Sequence, residues 1–487
     1  MRVAIVGAGF GGIGIAIRLR QAGFDDLVVF ERADDVGGTW RDNSYPGCAC
    51  DVPSHLYSFS FAPNPGWTRS FSGQAEIWEY LRRCVDAYGL KSNLRLGCEV
   101  LGATWDQTTG RWCLDTSDGP DSADVLVAAA GPLSEPWMPP LPGLETFAGE
   151  TFHSARWNHD LDLAGRRVAV VGTGASAAQF VPRIAPSVAR LHLFQRTPAW
   201  VLPRRDRAIT ALERRFFAAL PPAQRVVRAG IYWGREAFAL GFLRPPVMRF
   251  AQRVAARHLR RSIADPRLRA ALTPDYTMGC KRVLLSDDFY PALVRDNVEV
   301  VTDAIAEVRP EGVVTVDGRV RDVDTIIFGT GFRVTDAPVA HRIRGRDGRS
   351  LTEAWQGSMR AYLGTTVHGF PNLFLLLGPN TGLGHNSVVF MAEAQIRYVV
   401  AALRHLRRTG AAAVEPTRRA QADYVADVDR RMAGTVWLRG GCRSWYLDTT
   451  GRNSTLWPGY SFTYRLRARR FDPAAYRVVT RSQSQDQ

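Results

Sequence analysis

Residues 2–12 read RVAIVGAGFGG, an apolar run that leads directly into four closely spaced glycines. This order predicts a buried strand, a tight glycine turn and the start of a helix, as in dinucleotide-binding folds. Gly7 would make the turn, Gly9 would let a pyrophosphate approach the backbone, and Gly12 would let the helix pack closely on the strand. The helix N-terminus would then face the phosphates. The segment therefore predicts an α/β fold.

The next apolar run, residues 27–31, ends in an acidic residue. Glu31 stands at the distance where a carboxylate can accept both ribose hydroxyls of an adenosine. A turn that is merely rich in glycine is the alternative interpretation. The strand, the helix and the acid together favour an adenine dinucleotide.

A second loop of the same kind occurs at residues 167–177, which read RVAVVGTGASA. Ala177 takes the place of the third glycine, which the fingerprint permits. The next apolar run ends in Arg196, where the first unit has Glu31, and a guanidinium suits a 2′-phosphate. This difference assigns FAD to the first loop and NADPH to the second, although Arg196 as a solvated charge is the alternative. The predicted NADPH contacts are Gly172, Thr173, Gly174, Ser176, Ala177, Gln179, Arg196 and Thr197.

The chain looks internally duplicated, because apolar runs that end in glycine recur at residues 124–131 and 324–331. A proline-rich stretch after the first of these runs marks the crossing between domains. We predict two Rossmann-like dinucleotide-binding domains, for FAD and NADPH, with an inserted helical subdomain. The predicted boundaries are 1–140 and 336–487 for the FAD-binding domain with the C-terminal region, 141–202 and 273–335 for the NADP-binding domain, and 203–272 for the insertion.

The predicted insertion is rich in Arg, Ala, Leu and Phe at helical spacing, with breaks at Pro221-Pro222 and Pro245-Pro246. Ordinary helix packing is the favoured interpretation of its apolar faces. Docking on a membrane and capping a substrate cavity are the alternatives. A long helix is predicted over residues 387–408, and the polar tail from Ala474 onward is predicted to be loose. The aromatic residues of the insertion are Phe216, Phe217, Tyr232, Trp233 and Phe238.

Composition narrows the function classes. At 487 residues the chain predicts two or three domains, and its formal net charge is +15. We interpret the charge as a solvated basic surface, because no recognised nucleic-acid motif accompanies it. No apolar run reaches the roughly 18 residues that span a bilayer, and no secretory signal pattern precedes the first strand. The seven scattered cysteines are interpreted as thiols of a cytoplasmic protein, and no metal site is predicted.

Two further segments carry a specific resemblance. Residues 38–51 contain Gly38-Thr39-Trp40 and end in Asp51, and residues 147–157 read FAGETFHSARW. Together they resemble the two fingerprints of the flavin-dependent Baeyer-Villiger monooxygenases, within the flavin-containing monooxygenase superfamily. Asn158 departs from the family pattern, in which Pro or Asp usually follows the tryptophan. With both glycine loops, the resemblance covers most of the chain.

The resemblance implies that NADPH reduces FAD, and that O₂ then forms a C4a-peroxyflavin, which inserts an oxygen atom beside a ketone carbonyl to give an ester or lactone. Such a site needs a fixed cation that does not readily give up its proton, and arginine meets this demand because its pKa stays above about 12. The segment Gly279-Cys280-Lys281-Arg282 matches the family segment with the active-site arginine. Arg282 is thus implied as catalytic, Asp51 as its partner and Lys281 as a contact of the NADP 2′-phosphate or ribose. A structural surface pair of Arg282 with Asp51 is the alternative.

Other implied contacts of FAD lie around the same segments. Trp40 and Tyr57 resemble residues near the flavin, although both fit a hydrophobic core equally well. The turn at Gly378 and Asn380 leads toward a helix start whose positive end would face the flavin. Trp457 is interpreted as a packing residue, with a place in the lining of the substrate pocket as the alternative. The predicted FAD contacts are Gly7, Gly9, Gly12, Glu31, Gly38, Thr39, Trp40, Asp51, Tyr57, Gly378 and Asn380.

His153 has two interpretations. A general base is one, because an unperturbed imidazole has a pKa near 6.5. The favoured one is a hydrogen-bonded hinge in the segment between the domains, since such segments absorb domain motion.

Three rival functions remain at this point. A flavin-containing oxygenase of sulfur or nitrogen shares both glycine loops, but is expected to lack the Asp51 and Arg282 pair and Trp157. A flavin disulfide reductase needs two suitably spaced cysteines, and Cys48 and Cys50 stand too close. A nucleotide-binding protein without activity is disfavoured by two dinucleotide loops and a matched arginine. The sequence leaves the identity of the ketone, the regiochemistry and the oligomeric state open.

Overall fold

Two five-stranded parallel sheets form the framework of the protein in a computed structural model, which describes residues 1–479. The central strands of both sheets are short, largely apolar runs that are buried on both faces, as parallel sheets require. In chain order the strands are β1 (Val3–Val6), β2 (Leu27–Phe30), β3 (Leu94–Arg95), β4 (Val100–Asp106), β5 (Arg111–Thr116), β6 (Gly119–Ala123), β7 (Val125–Ala128), β8 (Glu150–His153), β9 (Arg167–Val171), β10 (Arg190–Phe194), β11 (Val201–Leu202), β12 (Leu284–Leu285), β13 (Val298–Val301), β14 (Ile305–Arg309), β15 (Gly312–Thr315), β16 (Val320–Asp322), β17 (Thr325–Phe328), β18 (Ile343–Arg344), β19 (Leu373–Leu375), β20 (Ala413–Pro416) and β21 (Tyr476–Val479).

The two sheets have matching strand orders. The first runs β19-β7-β1-β2-β3, and the second runs β8-β17-β9-β10-β13. In the first sheet Val6 lies level with Phe30 and Ala128, so the loops after β1, β2 and β7 leave the same edge. In the second sheet Val171 lies level with Phe194 and Phe328 in the same way. The fold is therefore the predicted pair of Rossmann-like units, each with its glycine loop at the carboxyl edge of the sheet.

Helices cover the sheets and form the segment between β11 and β12. They are α1 (Phe10–Gln21), α2 (Thr39–Asp42), α3 (Gln74–Ala87), α4 (Ala175–Ile184), α5 (Ala211–Ala219), α6 (Pro221–Leu243), α7 (Pro245–Ser262), α8 (Pro266–Ala271), α9 (Phe289–Leu293), α10 (Pro338–Arg342), α11 (Leu351–Trp355), α12 (Val388–Thr409), α13 (Arg418–Met432), α14 (Val436–Arg439) and α15 (Ser461–Arg467). The predicted insertion contains α5 to α8, and its helices α6 and α7 each begin at a proline pair, as proline at the first helical positions favours.

Smaller sheets complete each unit. Strands β4, β5 and β6 form an antiparallel meander with β18 at its edge, and β14, β15 and β16 form the corresponding meander of the second unit. Helix α12 packs against α1 across the core of the first unit. It begins after Ser387, whose hydroxyl accepts from the backbone of Val389, and it ends at Gly410 with φ +69°. The predicted long helix at residues 387–408 is thus confirmed.

The prediction of a loose C-terminal tail is wrong over the described residues, and the packing interpretation of the insertion is confirmed only in part. The tail from Ala474 is not loose as far as the structure describes it, since Tyr476–Val479 pairs with β20; residues 480–487 lie outside the described part. Packing also does not account for all the aromatic residues of the insertion. Phe217 is buried and Tyr232 stacks on Phe390 at 4.8 Å, but Phe216, Trp233 and Phe238 are half exposed.

Among residues 1–479, the structure contains no helix with the length and apolar character needed to cross a bilayer.

Candidate functional site

The first glycine loop has the geometry that the sequence predicts. Gly7 adopts φ +101°, and a Cβ on Gly12 would lie 1.8 Å from the Gly7 carbonyl oxygen, so neither position tolerates a side chain. A Cβ on Gly9 would come no closer than 3.8 Å to Gly38, which leaves the surface of the loop open. No side chain among residues 1–479 caps α1. The first N–H groups of the helix are therefore available to an anion, which fits a bound pyrophosphate.

Glu31 lies directly beside this loop and is nearly buried. Its carboxylate accepts from the backbone N–H groups of Ala8 at 2.8 Å and Ala33 at 3.2 Å. It also forms an ion pair with Arg41 at 3.1 Å, which the sequence did not predict. Both residues line one cleft, which fits the predicted position of an adenosine, and the predicted residues that share this cleft are Gly7, Glu31, Gly38 and Thr39.

The second glycine loop repeats the geometry in the second unit. Gly172 has φ +105°, and a Cβ there would lie 2.6 Å from the carbonyl oxygen of Gly329. Gly174 precedes α4, which no side chain caps within the described chain. The Thr173 hydroxyl donates to the Thr197 carbonyl at 3.3 Å and so joins the loop to the end of β10. These features also fit a dinucleotide, with Ala177 fully buried at the place of the third glycine.

Two cations stand next to this second loop. Arg196 is exposed just beyond β10, and Lys281 is half-buried over the ring of Tyr276 at 5.3 Å. Burial lowers the pKa of Lys281, and the nearby Arg196 charge lowers it further. Within residues 1–479 neither side chain forms an ion pair with a carboxylate. Their arrangement suits a phosphate, because two unpaired cations repel each other unless an anion lies between them.

Gln179 and Ser176 lie on α4 behind the loop. The Gln179 amide accepts from the Tyr45 hydroxyl at 3.0 Å and exchanges two hydrogen bonds with the backbone of Ala49. Helix α4 is thereby attached to the segment that leads to Asp51. The predicted contacts of Gln179 and Ser176 with NADPH stay predictions.

Arg282 and Asp51 come together from positions 231 residues apart. The Nε and Nη2 atoms of Arg282 lie 3.0 and 2.5 Å from one carboxylate oxygen of Asp51, and Nη1 donates to the Leu383 carbonyl at 3.3 Å. The Asp51 charge raises the pKa of Arg282 above its ordinary value. Burial raises the pKa of Asp51, but the Arg282 charge outweighs it and holds the carboxyl below its usual range. The two side chains, still 30% and 28% exposed, therefore form a permanently charged pair.

Two more arginines surround Asp51, and the sequence did not predict them. Arg235 of α6 donates to the Asp51 backbone carbonyl, and Arg204 donates to the Cys50 carbonyl at 3.0 Å. Burial lowers the pKa of Arg235, although Asp51 opposes this effect. The insertion thus places a second guanidinium beside Arg282. No sequence signal separates Arg235 from the many other arginines of the insertion.

A tyrosine and a disulfide fix the segment that carries Arg282. Burial raises the pKa of Tyr446 to about 12, although the neighbouring Arg282 charge opposes the shift, so the hydroxyl stays neutral. Cys280 forms a disulfide with Cys442. The prediction that all seven cysteines are thiols is therefore wrong for this pair. The sequence could not reveal it, because 162 residues separate the partners.

The remaining predicted FAD contacts lie either in the core beside the first glycine loop or in the turn at residues 378–380. Trp40 donates its indole N–H to the Tyr57 hydroxyl at 3.1 Å, and both lie in the core beside the first loop. Asn380, with φ +56°, directs its amide toward the backbone of Asn453 and Leu456. A Cβ on Gly378 would lie 2.3 Å from the Gly364 carbonyl, so this turn packs tightly. The contacts of these residues with FAD stay predictions.

The hinge interpretation of His153 does not match its position. His153 ends strand β8 and lies level with Phe328 of β17, so it belongs to the second sheet and not to a free linker. The ring is buried, and its Nδ1 accepts from the backbone N–H of Ala155 at 3.1 Å. Burial lowers its pKa to about 4. Trp457 is fully buried, which confirms that it packs in the core.

Comparison with known proteins gives the family. Residues 1–211 match the model of the flavin-binding monooxygenase-like family. A Baeyer-Villiger monooxygenase of Streptomyces coelicolor is 53% identical over 98% of this chain and 93% of its own length. This chain belongs to the Baeyer-Villiger monooxygenases.

Solved structures of related enzymes have the same fold over nearly the whole chain. A steroid monooxygenase bound to NADP is 31% identical, with a TM-score of 0.87 over 99% of both chains. A complex of the enzyme OTEMO with FAD and NADP is 28% identical, with a TM-score of 0.88 over 98% of this chain and 99% of that chain. The two-unit fold of this Baeyer-Villiger monooxygenase is thus shared with an enzyme whose structure holds both FAD and NADP.

Proposed function

We propose that this Baeyer-Villiger monooxygenase uses NADPH and O₂ to convert a small-molecule ketone into an ester or lactone, with FAD in the first unit and NADPH in the second. The observation that carries the proposal is the ion pair of Arg282 and Asp51. It lies where segments of both nucleotide-binding units and of the insertion meet. A fixed cation at this junction suits an oxygenation in which negative charge develops on oxygen.

The two nucleotides would be held by the residues described above. FAD, when bound, takes reducing equivalents from NADPH and delivers one oxygen atom of O₂ to the substrate. Gly7, Gly9 and Gly12 would leave room for its pyrophosphate, and Glu31 would face its ribose. Arg196 and Lys281 would bind the 2′-phosphate of NADPH, because two cations on neighbouring segments match a dianion.

Arg282 would act through a charge that stays constant with pH. Its pKa lies above its ordinary value because Asp51 stabilises the cation. A guanidinium in this state donates hydrogen bonds without releasing its proton, so it would stabilise an oxyanion without neutralising it. Asp51 would fix the orientation, since its carboxylate accepts from two nitrogen atoms of the same guanidinium.

Arg235 is proposed as a positioning residue in the same site. It holds the backbone of Asp51 from the side of the insertion. Its charge would also disfavour any approach of Arg282 toward α6 and so keep the latter guanidinium directed at Asp51 and the open side of the site.

Product analysis tests the proposal. The holoenzyme would be incubated with NADPH, ¹⁸O₂ and a panel of ketones and sulfides, and the products analysed by mass spectrometry. We expect esters or lactones that carry one ¹⁸O atom, and no such product from an Arg282→Ala variant. Labelled sulfoxides without any labelled ester would favour the heteroatom-oxygenase alternative.

The compartment is part of the proposal. We propose that the protein is located in the cytoplasm, because five cysteines are free thiols in the described chain. The Cys280–Cys442 disulfide is the observation against it, and the free thiols outnumber it.

A further inference from the structure

The outer side of α6 is apolar, whereas its inner side carries the polar residues. Between Arg228 and Arg244 every exposed residue of this helix is apolar or glycine. Val226 and Trp233 are 72% and 58% exposed. The spacing of seven residues between them places both on one stripe of the helix. On this outer side of α6, four large apolar residues are exposed to solvent: Val226, Trp233, Phe238 and Leu240.

The inner side of α6 satisfies its polar groups within the protein. Arg228 donates to the His55 carbonyl at 2.8 Å, and Arg235 donates to the Asp51 carbonyl. Glu236 is 2% exposed and accepts from His385, Asn386 and Ser461. The helix is therefore held firmly in an orientation that exposes its apolar residues, so its outer side is not a packing face that lost its partner.

Helix α7 adds a second exposed face with two stripes. Val247, Phe250 and Val254 form an apolar stripe, in which Phe250 is 74% exposed. Beside it lies a basic stripe of exposed arginines at helical spacing. Within residues 1–479 none of these arginines forms an ion pair with a carboxylate. The basic stripe consists of Arg249, Arg253, Arg257 and Arg260.

The positive charge of the whole chain is concentrated in the insertion. Residues 203–272 contain 16 arginines, no lysine and four carboxylates, a net charge of +12 out of the +15 of the protein. A general solvated surface does not explain this distribution. This concentration of positive charge instead indicates that the partner of the exposed apolar residues is negatively charged.

From these observations we propose that the outer face of α6 and α7 docks on an anionic phospholipid surface. Large apolar and aromatic side chains beside a row of arginines are typical of helices that lie in the membrane interface. A second copy of the chain is disfavoured as the occupant, because it would bring the same positive charges against this face. The inference concerns binding alone and does not rest on the proposed oxygenation.

Vesicle sedimentation with the full-length holoenzyme tests this inference. We expect the protein to pellet with vesicles of phosphatidylcholine and phosphatidylserine, much less with phosphatidylcholine alone, and less in 1 M NaCl, where screening shortens to about 3 Å. Arg253→Gln with Arg257→Gln should weaken the binding roughly 30-fold, at about 1 kcal/mol for each arginine near such a surface. The matched control is Arg295→Gln with Arg404→Gln, which removes two exposed arginines elsewhere and should leave binding unchanged.

A second pair of variants tests how much the exposed apolar side chains contribute to vesicle binding. Val226→Ser with Phe250→Ser should weaken vesicle binding by at least roughly tenfold, since each side chain would lose its burial in lipid. Leu101→Ser with Val316→Ser, two exposed apolar residues outside the insertion, is the control without an expected effect. Flavin content and melting temperature verify that all variants fold.

Three outcomes overturn the proposal. The first is pelleting with anionic vesicles no greater than with neutral ones. The second is an equal loss of binding in the insertion variants and in their controls. The third is a dimer in analytical ultracentrifugation without lipid that Val226→Ser with Phe250→Ser converts to a monomer, because the apolar face would then be covered by a second copy.

Discussion

Replacement of Arg282 by alanine is the most direct test of the proposed site, because it removes the cation and leaves its carboxylate partner. In the structure the guanidinium binds Asp51 through two nitrogen atoms, and the side chain is 30% exposed. Partial exposure calls for an effective dielectric constant of about 20 and not that of a dry interior. At about 4 Å, a unit charge then contributes about 4 kcal/mol to the stability of an oxyanion.

This energy corresponds to a loss of roughly 10³-fold in the rate of ester formation. The uncovered charge of Asp51 would add to the loss, although Arg235 still neutralises part of it. NADPH oxidation should continue in the variant, since the residues near both glycine loops are unchanged. The reducing equivalents should then appear as hydrogen peroxide instead of product.

The assay measures three quantities in the same reaction: NADPH consumed, hydrogen peroxide released and ester formed. Arg267→Ala, which removes an exposed arginine of α8, is the control and should keep the ratio of ester to NADPH of the parent. Ester formation by Arg282→Ala within threefold of the parent would refute the role of the cation. An equal loss of NADPH oxidation and ester with normal flavin content would show that Arg282 acts in reduction instead.

Further predictions address the neighbouring residues. Arg196→Ala should lower the preference for NADPH over NADH roughly 10- to 100-fold, the value of one charge-assisted contact, as measured by kcat/KM for both nucleotides; an unchanged ratio would contradict the 2′-phosphate site. Arg235→Gln should lower the ratio of ester formed to NADPH consumed roughly tenfold, with less effect on KM. Arg235→Lys should restore part of this ratio, and Arg228→Gln on the same helix should leave the ratio unchanged. Burial lowers the pKa of His153 to about 4, below the unfolded value of ~6.5. The unfolded chain therefore binds the proton more strongly, and stability is lost as the pH falls from 6.5 to 4. His153→Gln should flatten the decline of the melting temperature in this range. Cys442→Ser should lower the free energy of unfolding by about 2–4 kcal/mol, and a reductant should destabilise the parent but not the variant.

The two nucleotide-binding units were predictable because their signals are local. A strand, a glycine turn and a helix start lie within about a dozen residues at Gly7 and again at Gly172. A close backbone contact excludes a side chain at Gly7, Gly12 and Gly172. The strand pairing of His153 with β17 was not predictable in the same way. It depends on a parallel contact between residues 175 positions apart, and a four-residue edge strand carries little signal of its own.

The proposed catalytic pair was predicted only from the resemblance to a family, since nothing in the sequence near Asp51 indicates an arginine 231 positions later. The structure adds partners that neither the pattern nor the resemblance contained. Arg41 accompanies Glu31, and Arg235 accompanies Arg282, in each case from a segment without a distinctive motif. Such second partners are selected by three-dimensional proximity, for which residue type and spacing give no information.

The arrangement of α6 connects the site to the surface of the protein. One side of this helix holds the backbone at Asp51, and the other exposes Trp233 and Phe238. A shift of α6 on binding at its outer side would also move Arg235, because both lie on one helix. Glu236 fixes this helix to the loop at His385 and to Ser461. The contact that covers the apolar face and the position of the second guanidinium are therefore expected to change together. If the ratio of ester to NADPH stays the same while the holoenzyme is bound to vesicles, docking and oxygenation are separate properties of the helix.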